Sequence, residues 1–258
     1  MGAFVTSEYA VRLEKIPKEL TLAVVSDFHS GPSSDATSII EVLRERRPNV
    51  ILMPGDIFER LDGKHTDFMR AGLELMREAS EIAPVLYSYG NHENGGLGSW
   101  NYIKWRKKYF LPKFFAPNEL DMIFDSGATV LDDAFVIEDG IAFGGLSSGF
   151  INQERKPNVD WLDEFCKLDC PKILLCHHPE YYKKYLKNRN IDLIVAGHAH
   201  GGQWRFFGRG LFAPGQGIFP KYTSGVYDGR LVVSRGLKPG GKIPRISNSP
   251  EIVFLKIN

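Results

Sequence analysis

The chain has 258 residues, 43% of them hydrophobic, which is enough to bury a sizeable core and fits one α/β domain better than two small ones. Its 32 basic and 31 acidic residues leave a formal net charge of +1. That balance excludes a global field drawing the protein to nucleic acid or an anionic membrane, so any preference for phosphate must be local.

No charged-then-apolar leader and no bilayer-length apolar run is present. The expectation is a soluble, cytoplasmic protein, membrane-associated if an N-terminal anchor is missing. Met1, Gly2 and Thr6 formally match an N-myristoylation pattern, a match short enough to arise by chance. Cys166, Cys170 and Cys176 are odd in number and lack C-x-x-C spacing, so reduced thiols are expected. Cys176 lies in an apolar run, where a free cysteine acts as a small hydrophobe.

In chain order, the first apolar run is Leu22, Ala23, Val24 and Val25, which ends in Ser26 and Asp27 as a buried strand would. Apolar residues at helical spacing over 35–47 predict a helix that Pro48 stops. A strand at Val50, Ile51, Leu52 and Met53 follows, then a helix over 66–81 and a strand over 84–88. This is βαβαβ order, and in open α/β sheets ligands bind where strands end in loops. Short strands over 129–131, 134–137 and 141–145 read as a meander. Helices over 159–168 and 181–187 precede strands at 172–176 and 192–196, and further strands fall at 231–234 and 252–255.

One stretch exceeds an ordinary loop. At about 97–121, Trp100, Tyr102, Trp105, Tyr109 and Phe110 alternate with Lys104, Arg106, Lys107 and Lys108. It reads as a cap, an interfacial helix touching lipid, or an ordinary packed helix.

Five short segments carry chemistry: Asp27-Phe28-His29, Gly55-Asp56, Gly90-Asn91-His92-Glu93, His177-His178 and Gly197-His198-Ala199-His200. Each follows an apolar run. Together they offer carboxylate, imidazole and amide donors suited to a two-metal hydrolytic centre. Two cations roughly 3.5–4 Å apart activate water and clamp the attacking and leaving oxygens of an in-line displacement. Asp56 offers a carboxylate able to bridge two ions. A lone D-x-H or G-H-x-H would be weak evidence; five in order are not. His65, among polar residues, reads as a solvated surface group.

The ordered set D-x-H, G-D, G-N-H-E, H-H-P and G-H-x-H resembles the calcineurin-like metallophosphoesterase superfamily over residues 27–200. The resemblance implies an α/β fold: a four-layer α/β/β/α sandwich with two mixed sheets, here a single domain over 1–258 carrying the insertion. It implies that Asp27, His29, Asp56 and His200 hold one metal and Asp56, Asn91, His177 and His198 the other. His92 would sit over the phosphate as acid or transition-state stabiliser. Glu93 stands where an aspartate is often found, a small departure. Position relative to Pro179 favours His177 over His178 as ligand.

Downstream text, including Gly201-Gly202-Gln203, 219–225, Ser234-Arg235-Gly236 and Pro244-Arg245-Ile246, resembles a bacterial branch with many membrane-anchored phosphodiesterases. Its members include enzymes that cleave the pyrophosphate of UDP-diacylglucosamine. Arg205 and Arg235 are candidate substrate-binding residues. A solvated charged face is the alternative for the first and a structural ion pair for the second.

The expected function is metal-dependent hydrolysis of a phosphodiester or pyrophosphate by a metal-bridging hydroxide, with two divalent cations, manganese, iron or zinc, as cofactors. The expected partner is a phosphoester substrate, with no specific nucleic acid, peripheral membrane contact held open, and oligomeric state undetermined. The rivals are a non-catalytic scaffold of the same fold, a nuclease, against which the near-neutral charge stands, and a lipid-linked pyrophosphate hydrolase at the membrane surface.

Overall fold

The computed structural model describes residues 4–59, 67–93, 117–149, 156–238 and 244–258. Expectations for Met1, Gly2, His65 and most of the 97–121 insertion lie outside those residues.

The first half alternates as its periodicity predicts. Strand β1 (Val5–Val11) and β2 (Leu20–Val24) precede helix α1 (Thr37–Arg46), β3 (Val50–Pro54), α2 (Asp67–Ser80) and β4 (Val85–Ser88). Asp35 starts α1 by accepting from the Thr37 amide at 3.0 Å and hydroxyl at 2.6 Å. Arg47, with left-handed backbone, ends it before Pro48. Ile39, Ile40 and Leu43 form its buried stripe. After α3 (Pro117–Phe124), the short β5 (Thr129–Val130) pairs parallel with β4.

The second half runs β6 (Ala134–Glu138), β7 (Ile141–Leu146), α4 (Leu162–Phe165), β8 (Lys172–Cys176), a π turn (Tyr182–Leu186) and β9 (Leu193–Ala196). A 3-10 turn (His200–Gly202) leads to two small hairpins, β10 (Arg205–Phe206) with β11 (Arg209–Gly210) and β12 (Phe212–Ala213) with β13 (Gly217–Ile218). Then come β14 (Gly225–Tyr227), β15 (Leu231–Val233) and β16 (Glu251–Ile257).

The strands form two mixed six-stranded sheets, ordered β1-β16-β2-β3-β4-β5 and β14-β15-β9-β8-β7-β6. β16 lies antiparallel to β2 and parallel to β1, while β14 and β6 are the antiparallel edges of the second sheet. The sheets share a core in which Leu22, Val24, Leu52 and Val253 pack with Ile173, Leu175, Val195 and Val232. A second core joins the other face of the first sheet to α1 and α2, and a third joins the outer face of the second sheet to α4 and the π turn. Burying each such side chain contributes about 1.5–3 kcal/mol.

Two expectations need correction. Residues 129–145 are not a meander, because β5 completes the first sheet and only β6 and β7 form an antiparallel pair. The helices read over 159–168 and 181–187 shrink to the four-residue α4 and a π turn, so the outer layer on the second sheet is thin.

Candidate metal centre

Each chemistry-bearing segment leaves the C-terminal end of a buried parallel strand. Asp27 and His29 follow β2, Asp56 follows β3, and Asn91 and His92 follow β4 in the first sheet. His177 follows β8, and His198 and His200 follow β9 in the second. The loops are stitched together across the sheets: the His198 amide donates to Asp27 Oδ1 at 3.0 Å, and His177 Nδ1 lies 2.7 Å from the Pro54 carbonyl. The second contact fixes the His177 ring so that Nε2 faces inward.

Close approach demands small residues here. A Cβ on Gly90 would lie 2.2 Å from Asp56 Oδ1, and one on Gly197 would lie 2.3 Å from Asp27 Oδ2. The residues expected to ligate are bent: Asp27, His29, Asp56, His198 and His200 all have φ between 45° and 63°. Left-handed backbone in such residues costs on the order of 1 to 3 kcal/mol each, a strain concentrated at functional sites.

Four groups of three donors lie close enough to share a cation among the described residues; His29, Asp56 and His92 make one and His178, Glu180 and His198 another, while the remaining two consist wholly of expected ligands. Asp27, His29 and His200 form one, with His200 Nε2 3.6 Å and His29 Nε2 4.0 Å from Asp27 Oδ1. Asp56, His177 and His198 form the other, with His177 Nε2 3.0 Å from Asp56 Oδ2. The same Asp56 oxygen is 3.7 Å from His29 Nε2 and so faces both groups. The residues fit cations: Asn91 Oδ1 and His29 Nε2 are buried without an aligned hydrogen-bond partner among the described residues. Such atoms are costly to bury unless something binds them.

Protonation fits too. Burial holds the His29, His198 and His200 imidazoles below their ordinary pKa, which keeps them neutral and able to ligate. Burial also pushes the Asp56 carboxyl up, but the surrounding His177, His92 and His29 rings outweigh it and hold the group well below the usual carboxylate range. Burial pushes His177 down, yet Asp56 beside it raises the ring to about 10. Both shifts mark the space between these two side chains as one that favours positive charge.

Three more carboxylates surround the centre, and sequence reasoning missed what they do. Glu59 Oε1 lies 2.7 Å from His92 Nδ1, and Glu59 Oε2 lies 2.8 Å from Lys238 Nζ. Burial lowers the pKa of His92, but Asp56 and Glu59 outweigh it and raise the ring above its ordinary value. Glu93, fully buried, accepts from the amides of Asp56, Phe58 and Gly90 at 2.9, 3.1 and 2.8 Å. It braces two of the loops against each other. Glu180 accepts from His178 at 3.1 Å and stands 4.0 Å from His198.

The two candidate arginines are engaged within the fold. Arg205 Nη1 donates to the Gly201 carbonyl at 2.9 Å and the Thr223 hydroxyl at 3.2 Å. Arg235, partly buried, pairs with the buried Glu251 at 2.6 Å. Among the described residues Arg245 reaches the candidate centre, its Nη2 3.3 Å from His200 Nδ1. Cys166, Cys170 and Cys176 are free.

Two facing mixed sheets whose loops gather aspartates, histidines and an asparagine at the strand ends define a metal-dependent phosphoesterase. The model of the family described as calcineurin-like phosphoesterase matches residues 20–202, and the chain belongs to that family.

Among its relatives is a metallophosphoesterase of Aquifex aeolicus, 27% identical, with 97% of this chain and 90% of that one covered. The protein YpbG of Bacillus subtilis is 48% identical over 76% of this chain and 65% of its own. A protein of Danio rerio named as a transmembrane protein with metallophosphoesterase domain is 25% identical over 75% of this chain, which spans only 44% of it. Among the described residues no helix is long and apolar enough to cross a membrane.

Proposed function

We propose that this chain hydrolyses a phosphodiester or pyrophosphate bond at a centre for two divalent cations. Asp27, His29, Asp56 and His200 hold one, and Asp56, Asn91, His177 and His198 the other. The observation that carries this reading is Asp56 Oδ2, set 3.0 Å from His177 Nε2 and 3.7 Å from His29 Nε2, so that one oxygen serves both groups. Manganese, iron and zinc all suit this mixture of donors.

When bound, the cations supply water of lowered pKa and positive charge to oppose the phosphate. The remaining work falls to the chain. Asp56 fixes the spacing of the two groups, and Glu93 fixes Asp56 through its amide. His92 is a proton donor rather than a ligand: Nδ1 is engaged by Glu59, which orients the ring and leaves Nε2 to protonate the departing oxygen. Lys238 holds Glu59 in place from its other oxygen.

The test pairs elemental analysis with turnover of an aryl phosphodiester and a nucleotide pyrophosphate. Wild-type protein should carry about two divalent cations per chain and turn over at least one of these substrates, and Asp56→Asn should abolish turnover. Wild-type turnover in the variant would sink the mechanism. Fewer than one cation per chain after reconstitution, with no turnover, would mean a scaffold of the same fold.

A further inference from the structure

The segment from Trp204 to Phe219 presents six large apolar side chains to solvent, Trp204, Phe206, Phe207, Phe212, Ile218 and Phe219. Phe207 is 105% exposed, Phe219 79% and Ile218 70%. Isolated exposed apolar residues need no explanation, but a cluster on two adjoining hairpins does.

Backbone geometry adds an independent observation. Phe207 has φ 50° and Phe219 φ 53°. Left-handed backbone favours glycine or asparagine, and a bulky ring there is a costly choice. Neither ring recovers the cost by packing inside the protein, since both are exposed. Two strained, solvent-facing phenylalanines are what a surface built to insert into something else would carry.

Charge selects the occupant. Between Gln203 and Ser224 there is no aspartate or glutamate, while Arg205, Arg209 and Lys221 supply positive charge, the last two exposed. A second copy docking by the same face would set these bases against their own counterparts. Aromatic rings flanked by bases match a bilayer interface, where rings sit at headgroup depth and the bases meet lipid phosphates.

We propose that the two hairpins β10–β11 and β12–β13 seat this protein on the surface of an anionic phospholipid bilayer, with Phe207 and Phe219 inserted and Arg209 and Lys221 on the headgroups. The hairpins grow directly from the turn bearing His200: Arg205 donates to the Gly201 carbonyl and the Leu211 amide to the Gly202 carbonyl at 3.1 Å. Membrane seating would hold that turn near lipid phosphates. Binding itself does not depend on the proposed hydrolysis; only this consequence does.

The experiment is flotation of the full chain with phosphatidylcholine vesicles, with and without phosphatidylglycerol. Wild type should prefer the anionic vesicles by about thirtyfold for two exposed bases, a preference that salt removes. Phe207→Asn with Phe219→Asn should weaken binding by about a hundredfold. Because asparagine accepts left-handed backbone, the double variant should melt no lower than wild type, and its turnover of a soluble phosphodiester should be unchanged. Failure of wild type to float, equal binding by the double variant, or a lowered melting temperature in it would overturn the proposal. So would wild-type dimers in solution that the same substitutions dissociate. Loss of flotation leaves the hydrolytic reading intact, and loss of turnover leaves the flotation reading intact.

Discussion

Glu59 joins His92 to Lys238: one carboxylate oxygen is 2.7 Å from the imidazole Nδ1 and the other is 2.8 Å from the ammonium. The ring that should give a proton is therefore held by a charge that is itself held. Glu59 Oε2 also lies 3.3 Å from His29 Nδ1, so Glu59→Gln should lower kcat by about a hundredfold, within the usual range for a general acid, with little change in KM and a weakened hold on cations at His29. Lys238→Met should produce a smaller loss of the same kind. Steady-state kinetics and elemental analysis of both variants check this, and an unchanged kcat in metal-replete Glu59→Gln would mean that His92 does not depend on Glu59.

Glu93 accepts three backbone amides and holds the Asp56 loop to the Gly90 loop. Glutamine would turn an amide group toward at least one of those donors. Glu93→Gln should cost about 1–3 kcal/mol of stability, the penalty for a buried donor left unpaired. It should also weaken cation affinity, which thermal melts at several metal concentrations would show.

Gly197 lies against the Asp27 carboxylate, where a Cβ would be 2.3 Å from Oδ2 and 2.0 Å from the Ser26 hydroxyl. Gly197→Ala must push Asp27 out of place. The expected result is a stability loss of about 1–3 kcal/mol from overpacking, with weakened cation binding. A variant that kept full metal content and melting temperature would mean that the Asp27 loop is more yielding than its contacts indicate.

The bent backbone at Asp27, His29, Asp56, His198 and His200 should make folding depend on cations. At a cation concentration about 100 times the dissociation constant, binding stabilises by about 2.7 kcal/mol. A chelator should therefore lower the melting temperature and added metal restore it. Asp56→Asn should abolish most of that response, so a normal response in the variant would count against Asp56 as a ligand.

Arg235 and Glu251 form an ion pair in which the glutamate is 1% exposed. Removing one partner of such a pair costs about 3–5 kcal/mol. Arg235→Met should melt much lower than wild type yet leave KM unchanged in the folded fraction. A raised KM at normal stability would instead assign this arginine to substrate.

That the five segments converge is legible in sequence, because each follows a run of apolar residues that reads as a buried strand, and ligands in open α/β sheets bind where such strands end. Glu59 is not legible in the same way. It sits three positions beyond Asp56 behind Ile57 and Phe58, and nothing local marks it as a partner for His92. Glu93 reads as a substitution for aspartate, whereas its role is set by amides from residues 56 and 58, far away in sequence. The π turn and the two-residue hairpin strands carry too few residues to show a period. β1 escapes notice because its pattern is mostly exposed and, among the described residues, it lies at a sheet edge beside β16.

That last pairing sets the timetable of synthesis. Val5 lies opposite Glu251 and Val11 opposite Ile257, and β16 separates β1 from β2 in the sheet. A ribosome releases the first strand long before the strand that receives it, so β1 must wait unpaired while nearly the whole chain emerges. Glu251 also accepts the Arg235 amide at 2.8 Å and anchors its guanidinium, just before the Leu237 and Lys238 amides reach the Asp27 loop. A nascent chain paused before residue 251 therefore lacks the strand that closes the first sheet and the brace behind Asp27. Assembly of the candidate site thus waits on β16, more than 220 residues after Asp27 in the chain.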